Sequence, residues 1–417
     1  MLFSATQTVN ASNTAARRVV VTGAGIVTAL GTGWRINAEG FRSGRSAIRP
    51  TTLFDVSRQR SKIAAEIDLP QDLPPNRLSR ATLRRLNRAS RLLLLSAHEA
   101  WTQSGWTSNG NLPVVLGTTS GEMSLGQDYL RQALQAPRNF KRQASRVTHY
   151  LVQQQGINLC DALGFEGTVA TISNACASGA NAIGHAWEMI RRGRAERVLT
   201  GGYDALCHLT YAGFDSLQVL SASPCRPFDA GRDGLTLGEG AAVFALENLA
   251  SAQRRGAEIL GEMIGYGASS DNNHLTQPHP QGLAALAAMN AACASASLTP
   301  QQIDYINAHG TATPQNDASE AAAINAWAGE RAASLPVSST KAAIGHLLGA
   351  AGAVESAACL MALQGQWLPP QPALQTPDPV CHFPIVRQPT HAKINTALSN
   401  SFGFGGSNAT VIFRRWS

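Results

Sequence analysis

Ile172-Ser173-Asn174-Ala175-Cys176-Ala177-Ser178-Gly179 joins two segments of different periodicity. Upstream, Gly167 to Ile172 carries the β-prone Thr168, Val169, Thr171 and Ile172 and predicts a strand. Downstream, Ile183, Ala186, Trp187 and Ile190 recur at helical spacing, and Arg191, Arg192 and Gly193 form a stop signal. Cys176 is therefore expected at a sharp strand-to-helix turn, at the positive end of a helix dipole. Such a site lowers a thiol pKa, and the thiolate is the nucleophile. The Cys176 backbone N–H could also donate to an oxyanion. A lone cysteine after a strand is equally a small buried hydrophobe, and the octapeptide alone leaves both readings open.

Working outward, 417 residues allow two or three domains or one large α/β unit. A 44% hydrophobic content and 15% charge describe a globular chain with a substantial core, and no stretch approaches the roughly 20 apolar residues of a membrane span. Residues 1–16 are rich in Ser, Thr, Asn and Ala, lack an apolar segment and have no arginine, so they predict a flexible leader rather than a secretory or transit signal. The seven cysteines are scattered without a CxxC pair, which argues against a disulfide framework or zinc ribbon and for a reducing cytoplasm. The net charge of +7 rests on arginine, since only Lys62, Lys141, Lys341 and Lys393 are lysines. Few aromatics and no RNP-like or helix-turn-helix pattern point away from nucleic acid and toward an acidic protein or phosphate-bearing substrate.

The first strand and turn, Val19 to Val27, resembles a dinucleotide fingerprint only superficially, because the third glycine position falls on Thr28. Residues 77–101 predict a helix bearing Arg77, Arg80, Arg84, Arg85, Arg88 and Arg91. It is either a solvated basic face or a docking patch for an acidic partner. Arg138, Lys141, Arg142 and Arg146 form a second basic cluster. Strands at Val114–Gly117, 197–202 and 241–246 complete a first α/β series. A second runs from about residue 260, with a helix over 282–296, a strand ending at Asn307, helices over 317–328 and 346–363, and a last strand at 408–413. Two series of comparable length predict a duplicated α/β architecture, divided as 17–257 and 258–417. The halves share no convincing sequence repeat, so element order alone carries the duplication.

Asn307-Ala308-His309-Gly310-Thr311-Ala312-Thr313-Pro314 places a histidine just after a strand, among small hydroxyl residues. Ser338-Ser339-Thr340-Lys341-Ala342-Ala343-Ile344-Gly345-His346 repeats the pattern with a lysine and a histidine five apart. Singly, each histidine reads as a hydrogen-bonded loop residue. Together with Cys176 they supply a nucleophile, two imidazoles and a cation at strand C-termini, which is what cysteine-based acyl transfer needs.

These motifs, with Leu347-Leu348-Gly349-Ala350-Ala351-Gly352, Asn400-Ser401-Phe402-Gly403-Phe404-Gly405-Gly406, Arg226-Pro227-Phe228-Asp229 and Leu237-Gly238-Glu239-Gly240, resemble the elongating β-ketoacyl-[acyl-carrier-protein] synthases from about Arg18 to Phe413. The resemblance implies a thiolase fold, two pseudo-symmetric halves layered α-β-α-β-α, usually dimeric. It implies that Cys176 takes an acyl group from an acyl-carrier protein, and that a decarboxylated malonyl group then attacks it. His309 and His346 would stabilise the malonyl thioester oxygen, such donors being worth ~3 kcal/mol each. Lys341 would hold the local field and orient them. The backbone N–H groups of Cys176 and Phe404 would form the other oxyanion hole, with Phe404 and Phe402 at the gate. Thr311, Thr313 and Thr276 match phosphopantetheine contacts, and Arg80, Arg84, Arg85 and Arg138 match positions that dock acidic carrier proteins. Glu355 and Asn400 match positions that in relatives help hold a structural monovalent cation. No cofactor of its own is implied.

Two rivals are weighed. A non-catalytic chain-length-factor-like subunit would pair with a related ketosynthase but lack the nucleophile, which is present here. A coenzyme A thiolase would carry a second cysteine where His346 stands. One departure bears on substrate: where fatty-acid relatives have an isoleucine lining the acyl pocket, Ser120 aligns, followed by Gly121 and Glu122. A smaller, more polar wall suits a polar, rigid or unsaturated chain, as do Asn272 and Asn273 in the 269–276 loop. Both fatty-acid elongation and a type II polyketide or aryl-polyene pathway therefore remain open, as do homodimer and heterodimer.

Overall fold

The computed structural model describes residues 16–107, 111–136 and 145–417. Five strands form the first half: β1 (Val19–Thr28), β2 (Val114–Gly117), β3 (Val169–Ile172), β4 (Arg197–Asp204) and β5 (Gly240–Asn248). They lie in the order β3-β2-β4-β5-β1, the first two pairings parallel and the next two antiparallel. The second half contains β6 (Gly261–Ser270), β7 (Tyr305–Asn307), β8 (Val337–Ser338), β9 (Thr396–Phe402) and β10 (Ser407–Arg414). Its order, β8-β7-β9-β10-β6, repeats the same parallel and antiparallel pairings. Each of these ten strands thus has a counterpart in the other half. The duplication, invisible as sequence repeat, is explicit as topology.

The helices used below are α1 (Arg80–Leu83), α2 (Arg88–Ser104), α3 (Met123–Gln135), α4 (Val152–Leu163), α5 (Ser178–Arg191), α6 (Leu283–Ala296), α7 (Pro314–Ala328) and α8 (Ala351–Gly365). α5 and α8 pack on each other between the two sheets, α2 and α4 cover the first sheet, and α6 and α7 lie on the second-half side. This is the α-β-α-β-α layering of the thiolase fold. β1 and β6 also pair, Val19–Val21 against Gly261–Met263, so the sheets join along one edge. α8 is buried all round from Ala351 to Leu363, as a middle-layer helix must be. The segment Leu348–Gly365 is apolar and long enough to cross a membrane, yet 89% of it is buried inside the molecule. Gly179 lets the two central helices close up, because a Cβ there would sit 2.8 Å from the Gly349 carbonyl oxygen.

Two expected elements come out differently. The helix expected over 77–101 divides into the single turn α1, capped by Ser79 Oγ accepting from Thr82 N–H, and the longer α2. Arg88 turns inward to pair with Glu239, and Arg91 donates to the carbonyls of Pro70 and Gln71. Only Arg77, Arg80, Arg84 and Arg85 remain exposed from that basic run. The helix expected over 346–363 starts at Ala351, leaving His346 in a loop. Arg138, Lys141 and Arg142 lie outside the described residues.

Candidate active site

β3 ends at Ile172 and α5 begins at Ser178, so Cys176 sits in the short turn between them. Ala175 adopts a left-handed φ of 56°. Ser178 Oγ holds the turn, accepting from Asn174 N–H at 2.9 Å and donating to the Ala175 carbonyl at 2.5 Å. Across from it, Gly403 packs so closely that a Cβ would lie 3.2 Å from Cys176 N. The depressed thiol pKa expected from the helix dipole is not what this setting produces. Burial pushes the thiol up to about 12, with Lys341 opposing the rise and Asp204 and Glu355 adding to it.

The second half brings up both imidazoles. His309 follows β7, and its loop is held by Glu320 of α7, whose two oxygens accept from the backbone N–H groups of His309 (2.8 Å) and Gly310 (2.7 Å). The ring of His309 lies 5.4 Å from that of His346, nearly perpendicular to it, and 5.5 Å from Phe402. Lys341, only 1% exposed, is ion-paired with Glu355. Its Nζ also donates to the His309 carbonyl at 2.6 Å and approaches His309 Nδ1 at 3.3 Å. An ammonium can only donate, so His309 Nδ1 is the acceptor and the ring proton sits on Nε2. His346 reaches the same state differently, its Nδ1 accepting the Leu348 backbone N–H at 3.0 Å. Burial, then the charge of Lys341, pushes both histidines well below the ordinary imidazole pKa, with His346 adding to the effect at His309. Two neutral rings, each with an Nε2–H to offer, result.

One cavity of about 380 Å³ gathers Cys176, His309, His346, Phe402, Phe404, Thr276, Thr311 and Thr313. Thr311 and Thr313 hydroxyls are 2.8 Å apart. Phe404 stacks on Phe214, ring centroids 5.9 Å apart and 18° from parallel. Lys341 stands behind His309 rather than in the cavity wall. Ser120 and Glu122 are buried elsewhere: Ser120 donates its N–H to Asp204, and Glu122 accepts from Ser90 N–H and Oγ. Burial lifts the Glu122 carboxyl to about 7. An apolar cavity of about 350 Å³ begins at the next residue, Met123, and runs along α3 to Leu130 and Tyr150. Sequence reasoning missed Glu320 and Phe214. Asp317 and Glu320, two acids one turn apart on the helix after the histidine loop, were the available signal for the first.

Models of the β-ketoacyl synthase N-terminal and C-terminal domains match residues 16–252 and 260–375. The chain belongs to the β-ketoacyl synthase family. It is 36% identical to a 3-oxoacyl-[acyl-carrier-protein] synthase 2 of Synechocystis sp., over 97% of this chain and 100% of that one. Nodulation protein E of Rhizobium meliloti is also 36% identical, with 96% and 99% covered. Among solved structures, the ishigamide ketosynthase/chain length factor superposes with a TM-score of 0.89 at 31% identity, covering 97% of this chain and 100% of that one. This ketosynthase is thus an acyltransferase that forms carbon–carbon bonds, a β-ketoacyl-acyl-carrier-protein synthase.

Proposed function

We propose that this ketosynthase condenses a malonyl group with an acyl group held on Cys176, in type II polyketide or aryl-polyene biosynthesis. The observation that carries the chemistry is the pair of neutral imidazoles, each with its proton fixed on Nε2, facing the same cavity as Cys176. In the first half-reaction Cys176 Sγ attacks the acyl thioester, and its proton passes to the departing phosphopantetheine sulfur. The N–H groups of Cys176 and Phe404 stabilise the tetrahedral oxyanion, and Phe404 leaves its stack on Phe214 to admit the acyl chain. In the second, malonyl-carrier protein enters with its pantetheine arm along Thr276, Thr311 and Thr313. The carbon–carboxylate bond breaks, CO₂ leaves, and His309 and His346 donate to the enolate oxygen. The enolate carbon bonds to the acyl carbonyl, the carbon–sulfur bond to Cys176 breaks, and the thiolate takes up a proton. Neutral donors suit this step, since a preformed hydrogen bond strengthens as charge develops on oxygen.

His346→Ala is expected to leave acylation of Cys176 intact and lower condensation by about 100- to 1,000-fold. Intact-protein mass reads the first step and β-ketoacyl product the second; condensation surviving in this variant would end the role assigned to His346. The same mass assay, run on wild type with saturated, polyenoyl and aryl carrier proteins, tests the pathway. The type II polyketide ketosynthase and the ketosynthase/chain length factor among the solved neighbours favour unsaturated or aryl donors. A second reading, fatty-acid elongation, is favoured by the curated synthase 2 relatives and would show as acylation by long saturated chains. No adduct from any donor would indicate a chain-length-factor-like partner.

The exposed Arg80, Arg84 and Arg85 are the docking surface we assign to an acidic acyl-carrier protein, with Arg138 joining them by resemblance. Reversing the first three to Glu is expected to raise the KM for carrier protein about tenfold at low salt, and less as salt screens the encounter. Turnover of a small thioester mimic that needs no docking would stay the same; equal losses on both substrates would refute the assignment. The outer edge of β3, unpaired within the described chain, suits pairing with a second ketosynthase-like subunit, identical or related. Asn307 Oδ1, Ser399 Oγ and Glu355 Oε2 are buried without hydrogen-bond partners, and Asn307 lies beside Ser399 in register. These oxygens fit a structural monovalent cation, which would supply neutralisation and rigidity there; the Asn400 amide is already held by Glu320 and Thr410. The setting we propose is the cytoplasm.

A further inference from the structure

Asp204 ends β4 with its carboxylate fully buried. No lysine, arginine or histidine is ion-paired with it among the described residues. Five donors converge on it instead. Oδ1 accepts from Thr118 Oγ1 (2.8 Å), Ser120 N–H (2.7 Å) and Gly121 N–H (3.2 Å). Oδ2 accepts from Thr119 N–H (2.8 Å) and Gly349 N–H (2.7 Å). Four of these come from the turn after β2 in the first half. The fifth crosses to the second half.

That fifth bond leads to His346. Gly349 follows Leu348, whose N–H is the donor that holds His346 Nδ1. Leu348 adopts a left-handed φ of 51°, a conformation that costs a side-chain-bearing residue free energy and relaxes unless its neighbours hold it. Gly349 is held by Asp204 and by lack of space: a Cβ there would be 2.4 Å from Thr119 N and 2.7 Å from Asp204 Oδ2. We propose that Asp204 is a positioning residue for condensation, anchoring Gly349 so that Leu348 keeps its strained turn and His346 keeps its proton on Nε2. The inference rests on His346 being the donor to the malonyl thioester.

An amide cannot replace this carboxylate. Asn offers one acceptor oxygen and one NH₂ group, so whichever way it turns, donors on one side face a donor. With the oxygen kept toward Thr118, Ser120 and Gly121, the groups released are Gly349 N–H and its neighbour on the same oxygen, Thr119 N–H. Asp204→Asn is therefore expected to lower condensation about 100-fold, as small misplacements of catalytic groups do. Single-turnover acylation of Cys176 should fall by less than about threefold. A merely structural aspartate would not distinguish the two half-reactions. Nor would it give the second expected result: in a double-mutant cycle scored by residual malonyl decarboxylation, Asp204→Asn should add nothing to His346→Ala, because it acts through that ring. Thr118→Val, which removes a donor but leaves Gly349 bound, should condense within about threefold of wild type. Should Asp204→Asn not fold, Asp204→Ser carries the same test. Parallel loss of both half-reactions, or effects that multiply with His346→Ala, would overturn the proposal, as would failure of both variants to fold. Normal condensation by His346→Ala alone would instead strike the reading beneath it.

Discussion

Cys176→Ala is expected to show no mass gain from any acyl-carrier protein, a loss of at least about 1,000-fold in acyl-enzyme formation. No other cysteine lines the cavity with the two imidazoles. Cys160, Cys225 and Cys293 are buried away from that cavity, so none is placed to meet a substrate there. The variant should fold normally, since it deletes one sulfur atom and leaves the Ser178 hydrogen bonds that hold the turn. Malonyl decarboxylation should persist, because His309, His346 and Lys341 are untouched. An adduct in this variant, located by peptide mapping, would move the nucleophile elsewhere.

Lys341→Ala is expected to damage both stability and chemistry. Its ammonium and the Glu355 carboxylate are each about 2% exposed, and removing one partner of a buried pair destabilises by about 3–5 kcal/mol. Burial already raises the Glu355 carboxyl above its usual range, with Lys341 opposing the rise. Without the lysine the rise grows. A carboxyl whose folded pKa is raised contributes most below its unfolded pKa, and that contribution is lost as pH climbs to the folded value. The stability gap between variant and wild type should therefore widen as pH rises above the ordinary carboxylate range. Denaturant unfolding across that rise measures it, and a gap that narrowed would contradict the pairing. Lys341→Ala/Glu355→Gln should recover much of the stability but not condensation, because His309 Nδ1 has still lost the cation that fixes its tautomer. Recovery of both would reduce Lys341 to a structural role.

Much of the catalytic centre was legible because its chemistry lies in short local motifs. The Cys176 turn shows as a change from strand to helix periodicity, and each histidine follows a strand at the sheet edge where sites gather. What escaped notice depends on contacts between distant segments. Glu320 acts on backbone N–H groups eleven residues upstream, and Asp204 on a glycine 145 residues away. The Cys176 pKa was misjudged for a similar reason. A dipole can be inferred from a helix start, but the burial that outweighs it comes from packing across both halves. The arginine run divided for a comparable cause, as Arg88 finds Glu239, 151 residues away.

The duplicated topology has a consequence for how such an enzyme can decay. On the mechanism proposed above, the acceptor thiol belongs to one copy of the fold, and the groups that stabilise the enolate belong to the other. Damage to the second copy leaves a protein that can be loaded but never extends its cargo. Damage to the first leaves one that discards CO₂ from malonyl units and builds nothing. On that mechanism each failure retains one half-reaction, so the two copies of the fold can lose their chemistry separately.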